Sequence, residues 1–140
     1  MARRRPAQGP PAFRLILDSG AVIALSRRDD RARAALASAW EIGAEVSIPA
    51  VVVAETIRGS GPKDAPVDRV IAAVGEVGVT DEATGRVAGA LLGAARSDAT
   101  IDALVVADAV ERGGGVILTG DPDDLGRLAE GHPAVVIEVL

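Results

Sequence analysis

Cysteine and tyrosine are both absent from the 140-residue chain. Without a thiol there is no disulfide frame, no thiolate nucleophile and no cysteine-built zinc cluster. The redox compartment is left open. The only aromatic residues are Phe13 and Trp40, so the core must be built from Val, Leu, Ile and Ala. Base stacking on aromatic platforms is therefore excluded as a route to nucleic acid. Histidine is represented only by His132, in a Gly-His-Pro turn that reads as loop, and lysine only by Lys63. No apolar run approaches the roughly 20 residues of a membrane helix. The early run LIL is broken by Asp18 and the next by Arg27 and Arg28, which excludes a signal-type core. A cytoplasmic protein with no membrane partner is the simplest expectation.

Basic residues are outnumbered, 15 against 20 acidic, for a net charge of −5. That balance argues against broad electrostatic attraction to nucleic acid and leaves room only for a local basic groove. Arg3, Arg4 and Arg5 form the one dense basic cluster, inside MARRRPAQGPPA. This Arg/Pro-rich stretch has neither helical nor strand periodicity and reads as a flexible tail over residues 1–12. The remainder, 13–140, has the length and apolar content of one domain with its own core.

Short apolar runs alternate with longer amphipathic segments, as in α/β folds where helices connect strands of a mostly parallel sheet. Five strands are expected, at Phe13 to Leu17, Glu45 to Ile48, Val77 to Thr80, Val116 to Thr119 and Ala134 to Val139. Helices are expected at Ala21 to Ser26, Arg31 to Trp40, Pro49 to Arg58, Val67 to Val74, Glu82 to Ala95, Ile101 to Glu111 and Asp123 to Glu130. Gly113 to Gly115 should stop one helix, and Ser60 to Pro66 reads as a Gly/Pro loop. Asp121-Pro122 reads as an N-cap followed by a first-turn proline.

Against this background four carboxylates stand out. Asp18 ends FRLILD, Glu55 interrupts PAVVVAET, Asp102 opens IDALVVADAV and Asp121 follows GVILTGD. Each sits at the edge of a buried element, where an unpaired charge is costly. No arginine lies within two residues of any of them, so a bound divalent cation is the simplest offset. In a parallel α/β sheet, ligands bind outside the carboxyl ends of the strands. Asp18 and Asp121 fall at such ends, and Glu55 and Asp102 lie in the first two turns of helices that can approach the same edge.

Taken singly, each acid has an ordinary explanation. Asp18 could cap the following helix, Asp121 could cap its own, and Asp102 could answer a helix dipole with Asp98 as the cap. Glu55 resists such an account, because its nearest partner, Arg58, offers only a surface pair. Together the four suit Mg2+ or Mn2+, which take oxygen ligands, and suit phosphodiester hydrolysis assisted by a metal. A set lacking Cys and His is poorly suited to zinc.

The ordered segments LILDSGAVIAL, IPAVVVAETIRG and IDALVVADAVERGGGVILTGDPDDL resemble a PIN domain, and within that family the VapC-type toxins of bacterial toxin–antitoxin pairs. The resemblance runs from about Leu15 to the C-terminus. It implies a three-layer α/β/α fold around a mostly parallel five-stranded sheet. It also implies a metal-dependent endoribonuclease with Asp18, Glu55, Asp102 and Asp121 as its catalytic and metal-binding acids. Thr119 and Ser19 match hydroxyl positions of the family, and Asp123 and Asp124 match acids that vary among its members. Asp98, one helical turn before Asp102, is a further supporting candidate. An RNA substrate, an antitoxin partner and a homodimer are implied as well, with Val51 to Ile57 and Val87 to Leu92 as apolar surface for such contacts.

Other readings fit less well. A receiver-type phosphoacceptor needs a lysine after a late strand, and Lys63 lies mid-chain. A haloacid-dehalogenase-type site wants D-x-D where this chain has Asp18-Ser19-Gly20. Gly113 to Gly115 precede a strand instead of opening a helix, which is the reverse of a phosphate loop. A catalytically degenerate PIN-like protein-binding module remains as the non-enzymatic alternative, although such a module has no need of four clustered charges.

Overall fold

The computed structural model describes residues 13–140. The expected tail at 1–12 lies outside the described residues. Five strands, β1 (Arg14–Leu17), β2 (Glu45–Pro49), β3 (Val77–Gly78), β4 (Gly115–Thr119) and β5 (Val135–Val139), form one sheet in the order β3-β2-β1-β4-β5. Every neighbouring pair is parallel, so the sheet is wholly and not merely mostly parallel. Seven helices connect the strands: α1 (Ser19–Ser26), α2 (Asp30–Glu41), α3 (Ala50–Thr56), α4 (Gly61–Val74), α5 (Glu82–Ala95), α6 (Thr100–Glu111) and α7 (Asp123–Leu128).

The sequence explains which strands are central. RLIL and GVILT are near-continuous apolar runs, as expected of strands covered on both faces. Leu15, Ile16 and Leu17 of β1 lie opposite Val116, Ile117 and Leu118 of β4, and Ile16, Leu17, Ile117 and Leu118 are buried. Each such aliphatic side chain contributes about 1.5–3 kcal/mol on burial. β5 instead exposes Val136 and Val139 and forms one edge of the sheet.

The helices pack in two groups, α1 with α2, α3 and α4, and α5 with α6 and α7, as crossovers of the usual right hand require on the two faces of such a sheet. The result is a three-layer α/β/α sandwich. Local chemistry sets the helix starts. Asp29 caps α2 by accepting the Ala32 N–H, and Asp81 forms a reciprocal capping box with Thr84 at the start of α5. At the end of α6, Gly113 takes a positive φ of 88° and the Gly114 N–H returns to the Ala109 carbonyl, so the glycine run does stop this helix.

Two expectations are corrected. The Ser60 to Pro66 stretch is not a loop, because α4 begins at Gly61. Buried Asp64 accepts the backbone N–H groups of Arg58 and Ser60 at 3.0 and 2.9 Å, which fixes the turn from α3 into α4. Pro62 sits in the first turn, where no N–H is needed, and Pro66 removes a single bond near the helix start. The strand expected to reach Thr80 stops at Gly78, and Val79 is 77% exposed. The aliphatic segments Val51 to Ile57 and Val87 to Leu92 spend most of their apolar surface on the core: Val52, Ala88 and Leu91 are buried, while Val51, Val53, Ile57, Val87 and Leu92 pack partly against them. Trp40, at the C-terminal end of α2, is 48% exposed.

Candidate active site

From β1 the chain winds outward through β2 to β3, then returns to β4 on the other side of β1. The carboxyl ends of β1 and β4 therefore flank a topological switch point, where a crevice opens in sheets of this kind. Asp18 is the first residue beyond β1, and its backbone N–H donates to the Leu118 carbonyl of β4 at 3.0 Å. Its Oδ2 accepts the hydroxyl of Thr119, the last residue of β4, at 2.8 Å. Thr119 Oγ1 also accepts the Asp121 N–H at 3.0 Å and lies 3.3 Å from the Asp121 carbonyl. A hydroxyl has one proton, and the shorter contact assigns it to the Asp18 carboxylate.

The two strand ends are drawn together by glycine. A Cβ added to Gly20 would lie 2.8 Å from the Gly120 backbone nitrogen, so α1 and the segment after β4 meet backbone to backbone. Asp18 occupies the N-cap position of α1 but makes no side-chain capping bond. Its carboxylate is committed to Thr119, and its other oxygen, Oδ1, is buried without a partner.

Glu55 is the penultimate residue of α3, a helix that packs against both α1 and α6. It is half-buried, and its Oε1 is the second buried oxygen without a partner. A buried polar atom left unsatisfied costs about 1–3 kcal/mol, more when charged. Burial raises the Glu55 pKa and the Asp18 charge raises it further, while the Ser19 hydroxyl and then the Arg58 charge pull it down. Asp102, in the first turn of α6, is pushed up to about 6, by burial first and then by the charges of Asp18, Asp124, Glu55 and Asp121.

Asp18, Glu55, Asp102 and Asp121 thus share one electrostatic neighbourhood, with Ser19 and Thr119 beside them. Asp121 is exposed, and it is not a helix cap: Pro122 holds the N-cap position of α7 and makes no side-chain bond. Its backbone is tied instead to Thr119. Asp124 acts on Asp102 more strongly than either Glu55 or Asp121 does, while Asp123 is exposed in the first turn of α7. Asp98 is neither the cap of α6 nor on that helix; Ala99 holds the N-cap position and Asp98 is exposed before it.

Two arginines border the acids. Arg58 follows α3 and donates to the Ala54 and Ile57 carbonyls at 3.0 and 3.1 Å. Arg127 donates to the Ala95 carbonyl at 3.2 Å and stands 3.8 Å from Asp124. The approach of Arg127 to α5 joins residues 32 apart in sequence, a contact no local pattern could signal.

The donors offered to an ion are all oxygens, and two of them are buried and unpartnered. Both features fit a hard divalent cation. Among the described residues no three acids stand close enough to enclose an ion by themselves. That spacing agrees with an ion that keeps several waters and takes one or two direct carboxylates.

No individually curated protein matches the chain. Among solved structures, the chain is similar to VapBC2 from Rickettsia felis bound to a promoter DNA fragment. The TM-score is 0.74 at 14% identity, over 91% of this chain and 99% of that one. FitAcB from Neisseria gonorrhoeae aligns with a TM-score of 0.64 at 20% identity, over 88% of this chain and 95% of the other. DNA-bound VapBC from Salmonella typhimurium aligns at 0.65 with 18% identity, over 91% and 98%. At these identities the likeness establishes the fold. The sequence itself matches the family model of the PIN domain over residues 15–131, and the chain belongs to that family.

Proposed function

We propose that the chain is a divalent-metal-dependent endoribonuclease, the toxin of a toxin–antitoxin pair. The PIN family is a family of nucleases. The observation that carries the reading is the pair of buried, unpartnered carboxylate oxygens, Asp18 Oδ1 and Glu55 Oε1, within a cluster of acids whose charges help raise the pKa of Glu55 and of Asp102. A protein-binding module gains nothing from such groups, which lower stability unless a cation joins them.

Asp18, Glu55, Asp102 and Asp121 would hold Mg2+ or Mn2+. When bound, the cation would polarise the scissile phosphate and lower the pKa of an attacking water. The remaining work belongs to the chain. Thr119 fixes the rotation of the Asp18 carboxylate and leaves Oδ1 free to face the site. The Ser19 hydroxyl favours the charged form of Glu55. Thr119 also anchors the Asp121 backbone, so one hydroxyl sets the position of two acids.

The toxin assignment is supported by the resemblance to VapC-type sequences and by VapBC and FitAB assemblies among the structural neighbours. An antitoxin would occupy the acidic crevice with an arginine in place of the metal, through a bidentate, charge-assisted contact. A homodimer would bring two such crevices to a shared groove. The described residues contain no helix long and apolar enough to cross a membrane.

The test is cleavage of single-stranded RNA by purified chain with Mn2+ or Mg2+. Asp18→Asn and Asp102→Asn should abolish it while circular dichroism stays native. Full activity in excess chelator, or in the folded double variant, rules the mechanism out.

A further inference from the structure

We infer that Arg58 and Arg127 are substrate-positioning residues that grip the RNA backbone on opposite sides of the carboxylate cluster. The inference rests on the ribonuclease reading and adds to it where the flanking phosphates lie.

A polyanion must approach an acidic chain and settle over a crevice lined by carboxylates. Local cations are required for that, and the topology supplies one on each side. Arg58 follows α3, which leaves β2; Arg127 lies on α7, which leaves β4. β1, with Asp18 at its end, runs between them in the sheet. Arg58 and Arg127 thus lie on or just after elements that leave the two neighbours of β1, so each is assigned a phosphate flanking the scissile one and not the scissile phosphate itself.

Both guanidinium groups are held by backbone carbonyls, Arg58 by Ala54 and Ile57, Arg127 by Ala95. Such anchoring uses one edge of the planar fork and leaves the other to bind an oxyanion with less ordering to do. Both side chains are exposed. Arg58 makes no ion pair among the described residues, and Arg127 has only the long contact to Asp124 at 3.8 Å, between side chains that are 57% and 50% exposed. A pair of that kind is weak and readily exchanged for a phosphate. The other ion-paired arginines of the described residues, Arg14, Arg86 and Arg112, have carboxylate partners at 3.3 Å or less.

The experiment uses the intact chain with Mn2+ and a labelled RNA oligonucleotide carrying a single cleavable linkage. Neutral methylphosphonate linkages are placed one at a time on its 5′ and 3′ sides, and both binding by fluorescence anisotropy and cleavage are read. Wild-type chain should lose about tenfold in affinity for a neutral linkage on either side, the size of one charge-assisted contact. Arg58→Gln should remove the sensitivity on one side only, and Arg127→Gln on the other. Each should raise KM far more than it lowers kcat and reduce the salt slope of binding by about 0.7. Arg58→Lys and Arg127→Lys should recover part of the affinity.

Equal binding of charged and neutral flanks by wild-type chain overturns the inference without recourse to any variant, so a misfolded substitution cannot shield it. Flank sensitivity that survives in both glutamine variants overturns it too. If RNA binds with the expected flank sensitivity but is not cut, the positioning role stands and the nuclease reading fails. If RNA is cut with no flank sensitivity, the reverse holds.

Discussion

The Thr119 hydroxyl and the Asp18 carboxylate, 101 residues apart in sequence, meet at 2.8 Å across the carboxyl ends of β4 and β1. The bond links the strands on the two sides of the switch point and sets the direction of the unpartnered oxygen. Thr119→Val keeps the shape and removes the proton. It should cost about 1–3 kcal/mol in urea unfolding, because Asp18 is then buried with neither oxygen satisfied. Mn2+ affinity should fall alongside, measured by calorimetry.

Asp102→Asn should raise the melting temperature of the metal-free chain. A carboxyl raised from 3.8 to about 6 on folding destabilises the folded state only where it is ionised. The penalty is absent below the unfolded pKa near 4, grows through the interval, and is complete above about 6. At pH 7.5 the variant should gain about 1 kcal/mol, after allowing for partial solvent exposure of the group. At pH 4 the gain should vanish. Added Mn2+ should stabilise wild type and leave the variant unmoved.

Asp64 has the opposite sign. The Arg58 N–H bond, followed by those of Ser60 and Gly59, holds its pKa below the usual value. Stability from a depressed carboxyl is present above the unfolded pKa of about 3.9 and is lost as pH falls through the folded one. Asp64→Asn, which must turn an amide N–H toward one of two backbone donors, should melt lower than wild type at pH 7. The gap should close at acid pH; a constant gap from pH 2 to 7 would show that the charge is not what matters.

Asp108 is buried, and Arg112 joins it at 3.1 Å while reaching Glu76 at 3.3 Å beside β3. Burial raises the Asp108 pKa, and Arg112 partly offsets that. Arg112→Ala should therefore cost about 3 kcal/mol at neutral pH by stranding a buried charge. The loss should shrink as the medium is acidified and Asp108 takes up a proton. Asp108→Asn in the same background should restore much of it.

Gly20→Ala should be damaging beyond its size. The methyl would meet the Gly120 nitrogen at 2.8 Å, an overpacking worth about 1–3 kcal/mol. Relief by moving Gly120 would shift Asp121, so Mn2+ binding should weaken as well. Gly89→Ala, in the middle of α5 with nothing within 4 Å, should instead stabilise by about 0.5–1 kcal/mol.

Much of the fold was legible because its strands are short apolar runs and its helices are periodic. RLIL and GVILT announce buried parallel strands without any tertiary information. The start of α4 is not legible because Gly, Pro and Asp signal loops and first turns alike, and only the Asp64 bonds across to Arg58 and Ser60 decide between them. The candidate acids are legible because each borders or interrupts an apolar run. Their relative standing is not: Asp124 acts more strongly than Asp121 on Asp102, although Asp121 is the one tied to β4. Spacing alone makes Asp98 a helical neighbour of Asp102, whereas Ala99 holds the N-cap position of α6 and leaves Asp98 outside the helix. Arg127 carries no sequence signal because its partner on α5 is distant in sequence.

Trp40, half-exposed at the end of α2, leads into β2 at the amino-terminal edge of the sheet, whereas the carboxylates gather at the opposite edge. With tyrosine absent, this one indole supplies nearly all the near-ultraviolet absorbance and emission of the chain. Its fluorescence is thus a single-site optical reporter of the α2–β2 corner. A titration with Mn2+ followed at the tryptophan emission maximum should stay flat even as the crevice fills, so loading must be read by calorimetry or by the ion's own paramagnetism.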